Sequence, residues 1–277
     1  MKPQTASATP SRETLGAERA LALFTRPRRT PPAEDERAFL DRARRRTVLY
    51  DGLSLAAWQW GSAGPCVLLV HGWESHAGHW RALIERLLGD GFQVVAFDAP
   101  AHGQSGGDST DVVDIGRATL AVTAQLGPVD AVVGHSVGSP AVLYALSQGL
   151  RVRGSVHIAG PSSLRRVLDG FARQGRMEDA ERWRFQRLVE ERIALPLDDM
   201  ELPALQRGLL HRGLILHDPH DPEVPYAASE ALHRVWPAST LLPLEGPGHR
   251  RIIRDPAALD AIADFLARTA TDGRASA

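Results

Sequence analysis

Val129-Asp130-Ala131-Val132-Val133, followed at once by Gly134-His135-Ser136-Val137-Gly138, is the stretch that decides the fold. The apolar run 129–133 reads as a strand buried on both faces. Helical spacing takes over from Val137 to Gln148 and stops at Gly149. The G-x-S-x-G between them is then a sharp strand-to-helix turn. Its glycines remove side chains that would collide with the neighbouring strand and helix. The serine hydroxyl stands clear at the C-terminal edge of the sheet, where open α/β sheets bind ligands.

Outward from this turn the same alternation repeats. Cys66–Val70, Phe92–Phe97, Gly154–Ala159, Leu214–His217 and Ser239–Leu244 are short apolar runs that predict strands. Trp80–Leu88, Val112–Leu126, Glu178–Ile193, Ala227–Trp236 and Pro256–Arg268 have helical spacing. Strands alternating with helices predict a mostly parallel sheet covered by helices on both faces, an α/β fold. Thr47–Tyr50 and Leu53–Trp60 flank Asp51-Gly52, a hairpin signal that adds antiparallel strands at one edge. Residues 161–205 contain no buried strand and read as a helical insertion.

The domain expected from this pattern spans residues 47–270. Ahead of it, residues 1–46 form an extension. Its first 12 residues, rich in Thr, Ser and Pro, are expected to be disordered. Residues 13–25 predict a short helix, Arg26–Pro32 a linker, and Glu34–Arg46 a second charged helix whose arginines 42, 44, 45 and 46 form a solvated face.

A serine hydroxyl becomes a nucleophile only when a base takes its proton and a third group fixes that base. In this architecture the chain order is serine, acid, histidine. Asp221 follows the strand Leu214–His217 in a loop fixed by Pro219, Pro222 and Pro225, and is the expected acid. Asp218 is the rival, read as tying down the loop. His249, in Gly246-Pro247-Gly248-His249 after the strand 239–244, is the expected base. Backbone N–H groups of Val137, after the nucleophile, and of Trp73, in the loop after strand 66–70, are the candidate oxyanion donors. Trp73, His135, Phe171 and Trp183 are the candidate pocket residues, and Leu164, Leu168 and Phe185 of the insertion are further apolar candidates. His157, within a strand, reads as a satisfied core histidine. His71, His76 and His79 lack a carboxylate–histidine spacing, so no metal is expected, and no cofactor motif is present.

The 277 residues carry a formal net charge of -1, so no global field favours nucleic acid or an anionic membrane. Of 32 basic residues only Lys2 is lysine, which reads as compositional bias. The single cysteine, Cys66, excludes an internal disulfide and reads as a small buried hydrophobe. No run approaches the ~20 apolar residues of a membrane span, and the N-terminus lacks a signal-peptide pattern. A soluble cytoplasmic protein is the expectation.

Taken with His71-Gly72-Trp73, Asp98-Ala99-Pro100-Ala101-His102-Gly103-Gln104-Ser105, the Asp221 loop and Gly248-His249, the Ser136 turn resembles the α/β-hydrolase fold family over roughly residues 47–268. The resemblance implies an eight-stranded, mostly parallel sheet with a helical lid between strands six and seven, here at about 161–205. Ala101 stands where the family's D-x-P-G-H-G-x-S turn has glycine. The lipase-type His-Gly-Gly-Gly loop is replaced by His71-Gly72-Trp73, which makes large tertiary-alcohol esters less expected. Serine as nucleophile argues against haloalkane dehalogenase and epoxide hydrolase chemistry. The implied function is a serine hydrolase cleaving a small or medium carboxylic ester through an acyl-enzyme on Ser136. Its expected partner is a small-molecule ester or acyl substrate. Acyltransferase, thioesterase, lactonase and carbon–carbon hydrolase activities use the same three residues and stay open, as does a non-catalytic ligand-binding role. A homodimer contact through the lid also stays open.

Overall fold

Eight strands form one sheet in the order β1-β2-β4-β3-β5-β6-β7-β8. The structure, a computed structural model, describes residues 14–272. The expected disordered tail, residues 1–12, lies outside the described residues.

The strands are β1 (Arg44–Tyr50), β2 (Leu53–Trp60), β3 (Cys66–Val70), β4 (Gln93–Phe97), β5 (Ala131–His135), β6 (Gly154–Ile158), β7 (Arg212–His217) and β8 (Ser239–Pro243). The helices are α1 (Ala17–Thr25), α2 (Glu34–Leu40), α3 (Arg81–Gly89), α4 (Val112–Leu126), α5 (Gly138–Ser147), α6 (Leu164–Gln174), α7 (Asp179–Ile193), α8 (Leu202–Leu205), α9 (Ala227–Val235), α10 (Gly248–Arg251) and α11 (Pro256–Asp272). β1 and β2 pair antiparallel, as do β2 and β4, and every other pairing is parallel.

Period-two alternation distributes the strand residues between two cores. On β3, Leu68 and Val70 enter one core, and Val67 and Leu69 enter the other. All four are fully buried, and each leucine so placed is worth roughly 1.5–3 kcal/mol of apolar burial. The Asp51-Gly52 hairpin closes as expected, with positive φ at both residues (45° and 74°), the backbone of a tight hairpin turn.

Three sequence expectations shift. The predicted helix 34–46 ends at Leu40, and Arg44, Arg45 and Arg46 belong to β1, in register with Gln59, Trp58 and Ala57. The arginine-rich segment is an edge strand, where exposed charge is tolerated and discourages further pairing. β5 begins two residues later than the apolar run and reaches His135, so the turn opens directly at Ser136. Cys66 is only partly buried; burial nonetheless pushes its thiol up to about 11, with the nearby Asp130 adding to the shift.

The N-terminal segment lies against the main body. The N-terminal N–H of α1 is met by the Glu181 carboxylate of α7, and Glu18 pairs with Arg184. Phe24 packs edge-on to Phe171 and Phe185 at ring centroid distances of 5.3 and 5.6 Å. In the linker, the Arg29 guanidinium donates to the carbonyls of His102, Gly103, Ser105 and Gly107. Arg28 forms a fork with Glu74. That same 98–107 turn holds Ala101 at φ 62°, so alanine adopts the left-handed backbone at a cost of about 1–2 kcal/mol. Between β6 and β7 the chain forms α6, α7 and α8, the expected helical insertion. No helix among the described residues is long and apolar enough to cross a membrane.

β3 is flanked by β4 on one side and β5 on the other, so the winding reverses between β3 and β5. The loops after these two strands carry Trp73 and Ser136. A methyl added at Gly138 would sit 2.3 Å from the Val70 carbonyl oxygen, whereas one at Gly170 on α6 meets nothing within 4 Å. Gly138→Ala is therefore expected to destabilise the protein by about 2–3 kcal/mol. Gly170→Ala should stabilise it by about 0.5–1 kcal/mol. Urea unfolding midpoints of the two variants check this, and equal midpoints would contradict the packing described.

Candidate active site

Ser136 follows the last residue of β5 with φ 52°, a left-handed conformation that a non-glycine residue adopts only under constraint. The constraint is visible on both sides. Ser136 N–H donates to Ile158 O at 2.9 Å, tying the turn to β6. A methyl at Gly134 would lie 2.6 Å from Gly138 O, so the turn closes on itself only with glycine at both positions. The hydroxyl is thereby held above the sheet edge.

His249 reaches the serine from the start of α10, just after the loop that follows β8. Ser136 Oγ–H donates to His249 Nε2 at 3.0 Å, and His249 Nδ1–H donates to Asp221 Oδ2 at 2.7 Å. Three residues separated by up to 113 positions thus form one hydrogen-bonded line. Asp221, rather than Asp218, takes the histidine. Asp221 Oδ1 accepts the N–H groups of Glu223 (2.7 Å) and Val224 (3.0 Å). Its side chain is inaccessible to solvent. Burial alone would raise its pKa; hydrogen bonds from His217, His249 and the two N–H groups outweigh it and hold the carboxyl well below the usual carboxylate range. It remains an anion available to stabilise an imidazolium.

Asp218 has a separate task. Its Oδ2 accepts N–H from Gly246 (3.1 Å) and Gly248 (2.7 Å), and Oδ1 accepts from His220 (2.9 Å). It clamps the histidine loop to the acid loop. His135, expected in the pocket, is buried beneath that loop and donates Nε2–H to His249 O at 2.8 Å. Burial, and then the neighbouring His249, push its pKa down to about 3, so it stays neutral and keeps this role as donor.

One participant escaped the sequence reading. His217, the last residue of β7, precedes the acid and so breaks the serine–acid–histidine order. Its Nε2–H nevertheless faces Asp221 Oδ2 at 3.2 Å and donates to Val224 O at 3.0 Å, while Nδ1 accepts from Ser229 Oγ–H at 2.7 Å. Strand pairing of β7 with β6 and β8 makes His217 a rigid second support for the carboxylate. Glu223 was also missed; its Oε2 lies 4.0 Å from His249 Nε2, and Arg250 holds its other oxygen at 2.9 Å.

A cavity of about 900 Å³ opens on Ser136 and His249. Trp73 and Val137 line it beside the serine. Gly72 brings the Trp73 loop close, since a methyl there would be 3.0 Å from Ser136 Cβ. Leu164, Val167 and Phe171 of α6 form one wall, and Leu23 and Phe24 of α1 add to it. The N-terminal segment thus contributes wall residues that no motif could announce. Trp183, also expected in this pocket, is 67% exposed and lines a separate surface hollow with Arg165 and Gln186, because it sits on the outer face of α7. Leu168 and Phe185 are fully buried in the core behind the wall. His157 is the satisfied core histidine expected, bonded to Ser139 and Ser155.

The comparisons with known proteins follow the same lines. The family model described as the alpha/beta hydrolase fold matches residues 65–195, and one described as TAP-like protein matches residues 199–276. The chain is similar to a bifunctional esterase/perhydrolase of Acinetobacter calcoaceticus, 34% identical over 102 residues, which is 35% of this chain and 37% of that enzyme. It is similar over 96 residues to a pimeloyl-[acyl-carrier protein] methyl ester esterase of Xanthomonas campestris, 34% identical, covering 35% of this chain and 37% of the relative. The matched region therefore spans little more than a third of these relatives. Among solved structures, an esterase of Pyrococcus furiosus superposes with a TM-score of 0.67 at 20% identity, over 88% of this chain and 97% of that one. A thermophilic esterase of Thermogutta terrifontis gives 0.62 at 21% identity, over 82% and 100%.

The line Ser136–His249–Asp221 should make Ser136 reactive towards a fluorophosphonate, with His217 acting through Asp221. His217→Phe is expected to slow labelling of Ser136 by about tenfold to a hundredfold, the worth of one hydrogen bond to a charged group. Labelling rates followed by mass spectrometry check this, with circular dichroism confirming the fold. An unchanged rate would reduce His217 to a packing residue.

Proposed function

Because the chain belongs to the α/β-hydrolase fold family, we propose that it is a serine hydrolase cleaving a small or medium carboxylic ester through an acyl-enzyme on Ser136. The observation that carries the proposal is the unbroken line from Ser136 Oγ through His249 to the buried Asp221 carboxylate.

In the proposed reaction Ser136 Oγ attacks the ester carbonyl as its proton passes to His249 Nε2. Asp221 stabilises the imidazolium without taking the proton. The negative charge developing on the carbonyl oxygen is met by the N–H groups of Val137 and Trp73. Support for the first is its place at the start of α5, where the helix dipole favours an anion. Support for the second is the nearness of the loop at Gly72, where an added methyl would lie 3.0 Å from Ser136 Cβ. His249 then protonates the leaving alcohol, and a water activated by the same imidazole releases the acid and restores the hydroxyl.

Helices α6 and α7 act as the lid. Its apolar face, with α1 behind it, accommodates the acyl chain, and a cavity of about 900 Å³ is ample for a medium-length one. The relatives named as esterases support ester hydrolysis. The enzyme reads as cytoplasmic, acting on a small molecule. The relative named as an esterase/perhydrolase supports a second reading, in which the acyl group passes from Ser136 to an acceptor other than water.

p-Nitrophenyl esters of rising chain length test the proposal. kcat/KM should climb from acetate to a medium-length acyl group. Ser136→Ala and Asp221→Asn should each lose about 10⁴-fold or more in kcat. Asp218→Asn, which loosens the loop without touching the base, should lose no more than about a hundredfold. Near-normal turnover by Ser136→Ala would sink the assignment. Product analysis with an added alcohol or peroxide separates hydrolysis from acyl transfer.

A further inference from the structure

The loop after β3 and helix α2 bring together three side chains that the proposed reaction does not use. Glu36 lies on α2, and His76 and His79 lie on the turn leading into α3. Their ligating atoms all fall within 4.8 Å of one another. The two imidazole rings lie 4.0 Å apart. His76 Nε2 is 3.6 Å from Glu36 Oε2, and His79 Nε2 is 3.8 Å from Glu36 Oε1. Both separations are too long for hydrogen bonds. His76 is 1% exposed, and its Nε2 finds no hydrogen-bond partner among the described residues. A buried polar nitrogen aimed at a carboxylate that it does not reach is a costly arrangement unless something sits between them.

We propose that Glu36, His76 and His79 form a binding site for a divalent transition-metal ion of the zinc type. Ligands on a tetrahedral ion with bonds of 2.0–2.2 Å stand about 3.4 Å apart, so the three groups need to close by about 1.5 Å at most. Two imidazoles and one carboxylate suit zinc or its first-row neighbours rather than calcium or magnesium, which take oxygen ligands. His79 is already oriented: its Nδ1 meets Ser75 Oγ at 2.7 Å, and the hydroxyl can accept the Nδ1 proton while Nε2 keeps its lone pair for the ion. His76 Nδ1 accepts the Gly78 N–H at 3.1 Å. Coordination through Nε2 moves the ring proton to Nδ1 and gives up that contact. Glu36 is held by Ala33 N–H on Oε2 at 2.9 Å, leaving Oε1 for the ion. The His79 side chain is 35% exposed and that of Glu36 22%, so a fourth position opens to water.

None of the three residues lines the Ser136 cavity. The site is a staple. It joins the N-terminal segment to the loop that carries Trp73, and the inference stands independently of the proposed function. The proposal departs from the expectation of no metal drawn from residue spacing, because the carboxylate comes from forty positions upstream of His76.

The test uses the full chain without an affinity tag, stripped with EDTA and desalted, and then titrated with Zn²⁺ and separately with Co²⁺. One Zn²⁺ per chain should bind, and Tm should rise by about 5 °C or more at a hundredfold excess over Kd. Co²⁺ should give visible d–d absorption. Glu36→Gln and His79→Ala lie at the exposed rim and spare the buried His76; each should weaken Zn²⁺ binding at least tenfold. Unchanged far-UV circular dichroism and a cooperative thermal transition in the metal-free state show that both variants are folded. Wild-type Zn²⁺ affinity in either variant, or no stoichiometric binding by the parent chain, overturns the proposal.

Discussion

The constraint on which the site depends is the closeness of two backbones at the switch point of the sheet. Gly138 packs so tightly on the Val70 carbonyl that no side chain fits between them. This contact presses the start of α5 against the end of β3 and forces Ser136 into a left-handed turn. Everything chemically useful follows from that placement. The hydroxyl projects above the sheet, the N–H of Val137 sits at a helix start, and the Trp73 loop arrives alongside. Strain of this kind persists only where the surroundings over-determine it. Here β3 and β6 flank β5 on both sides, with paired parallel registers.

The histidine is held by a different means. It stands in the first turn of the short helix α10, after a glycine-containing loop that has no sheet of its own to fix it. Its position is set by hydrogen bonds from beneath and beside. His135 takes its carbonyl, Asp218 takes the N–H groups of Gly246 and Gly248, and Asp221 takes its ring. His217, fixed within β7, supports Asp221 in turn. A single buried carboxylate oxygen thus meets two imidazole N–H groups. The loop can remain short and glycine-rich because the Gly246 and Gly248 N–H groups and the His249 carbonyl are engaged by Asp218 and His135.

Much of this was legible in the sequence. The strands alternate with helices, and buried parallel strands announce themselves as continuous apolar runs, so β3 to β8 and α4 fell close to their expected places. Ser136, His249 and Asp221 were legible because each sits in a loop whose glycines or prolines mark a fixed turn. What was not legible depends on contacts across the chain. Arg44–Arg46 looked like the end of a charged helix, and only pairing with β2 makes them an edge strand. His135 and Trp183 carry side chains suited to a pocket, but the depth of one and the outward direction of the other come from packing. His217 was set aside by chain order, although hydrogen bonding has no regard for order. The wall formed by Leu23 and Phe24, and the meeting of Glu36 with His76 and His79, both require knowing where residues 14–46 fold back.

The N-terminal segment is accordingly part of the working body. α1 closes one side of the cavity, Arg29 binds four carbonyls of the 98–107 turn, and α2 brings its carboxylate to the loop after β3. In the proposed reaction the Ser136 oxygen carries the acyl group between two half-reactions. Rapid acid quench of the enzyme during turnover of a p-nitrophenyl ester, followed by peptide mass spectrometry, tests it most directly. An acyl adduct is expected on the peptide containing Ser136. Turnover with that peptide unmodified at every time point, or with the acyl group trapped on another residue, would contradict it.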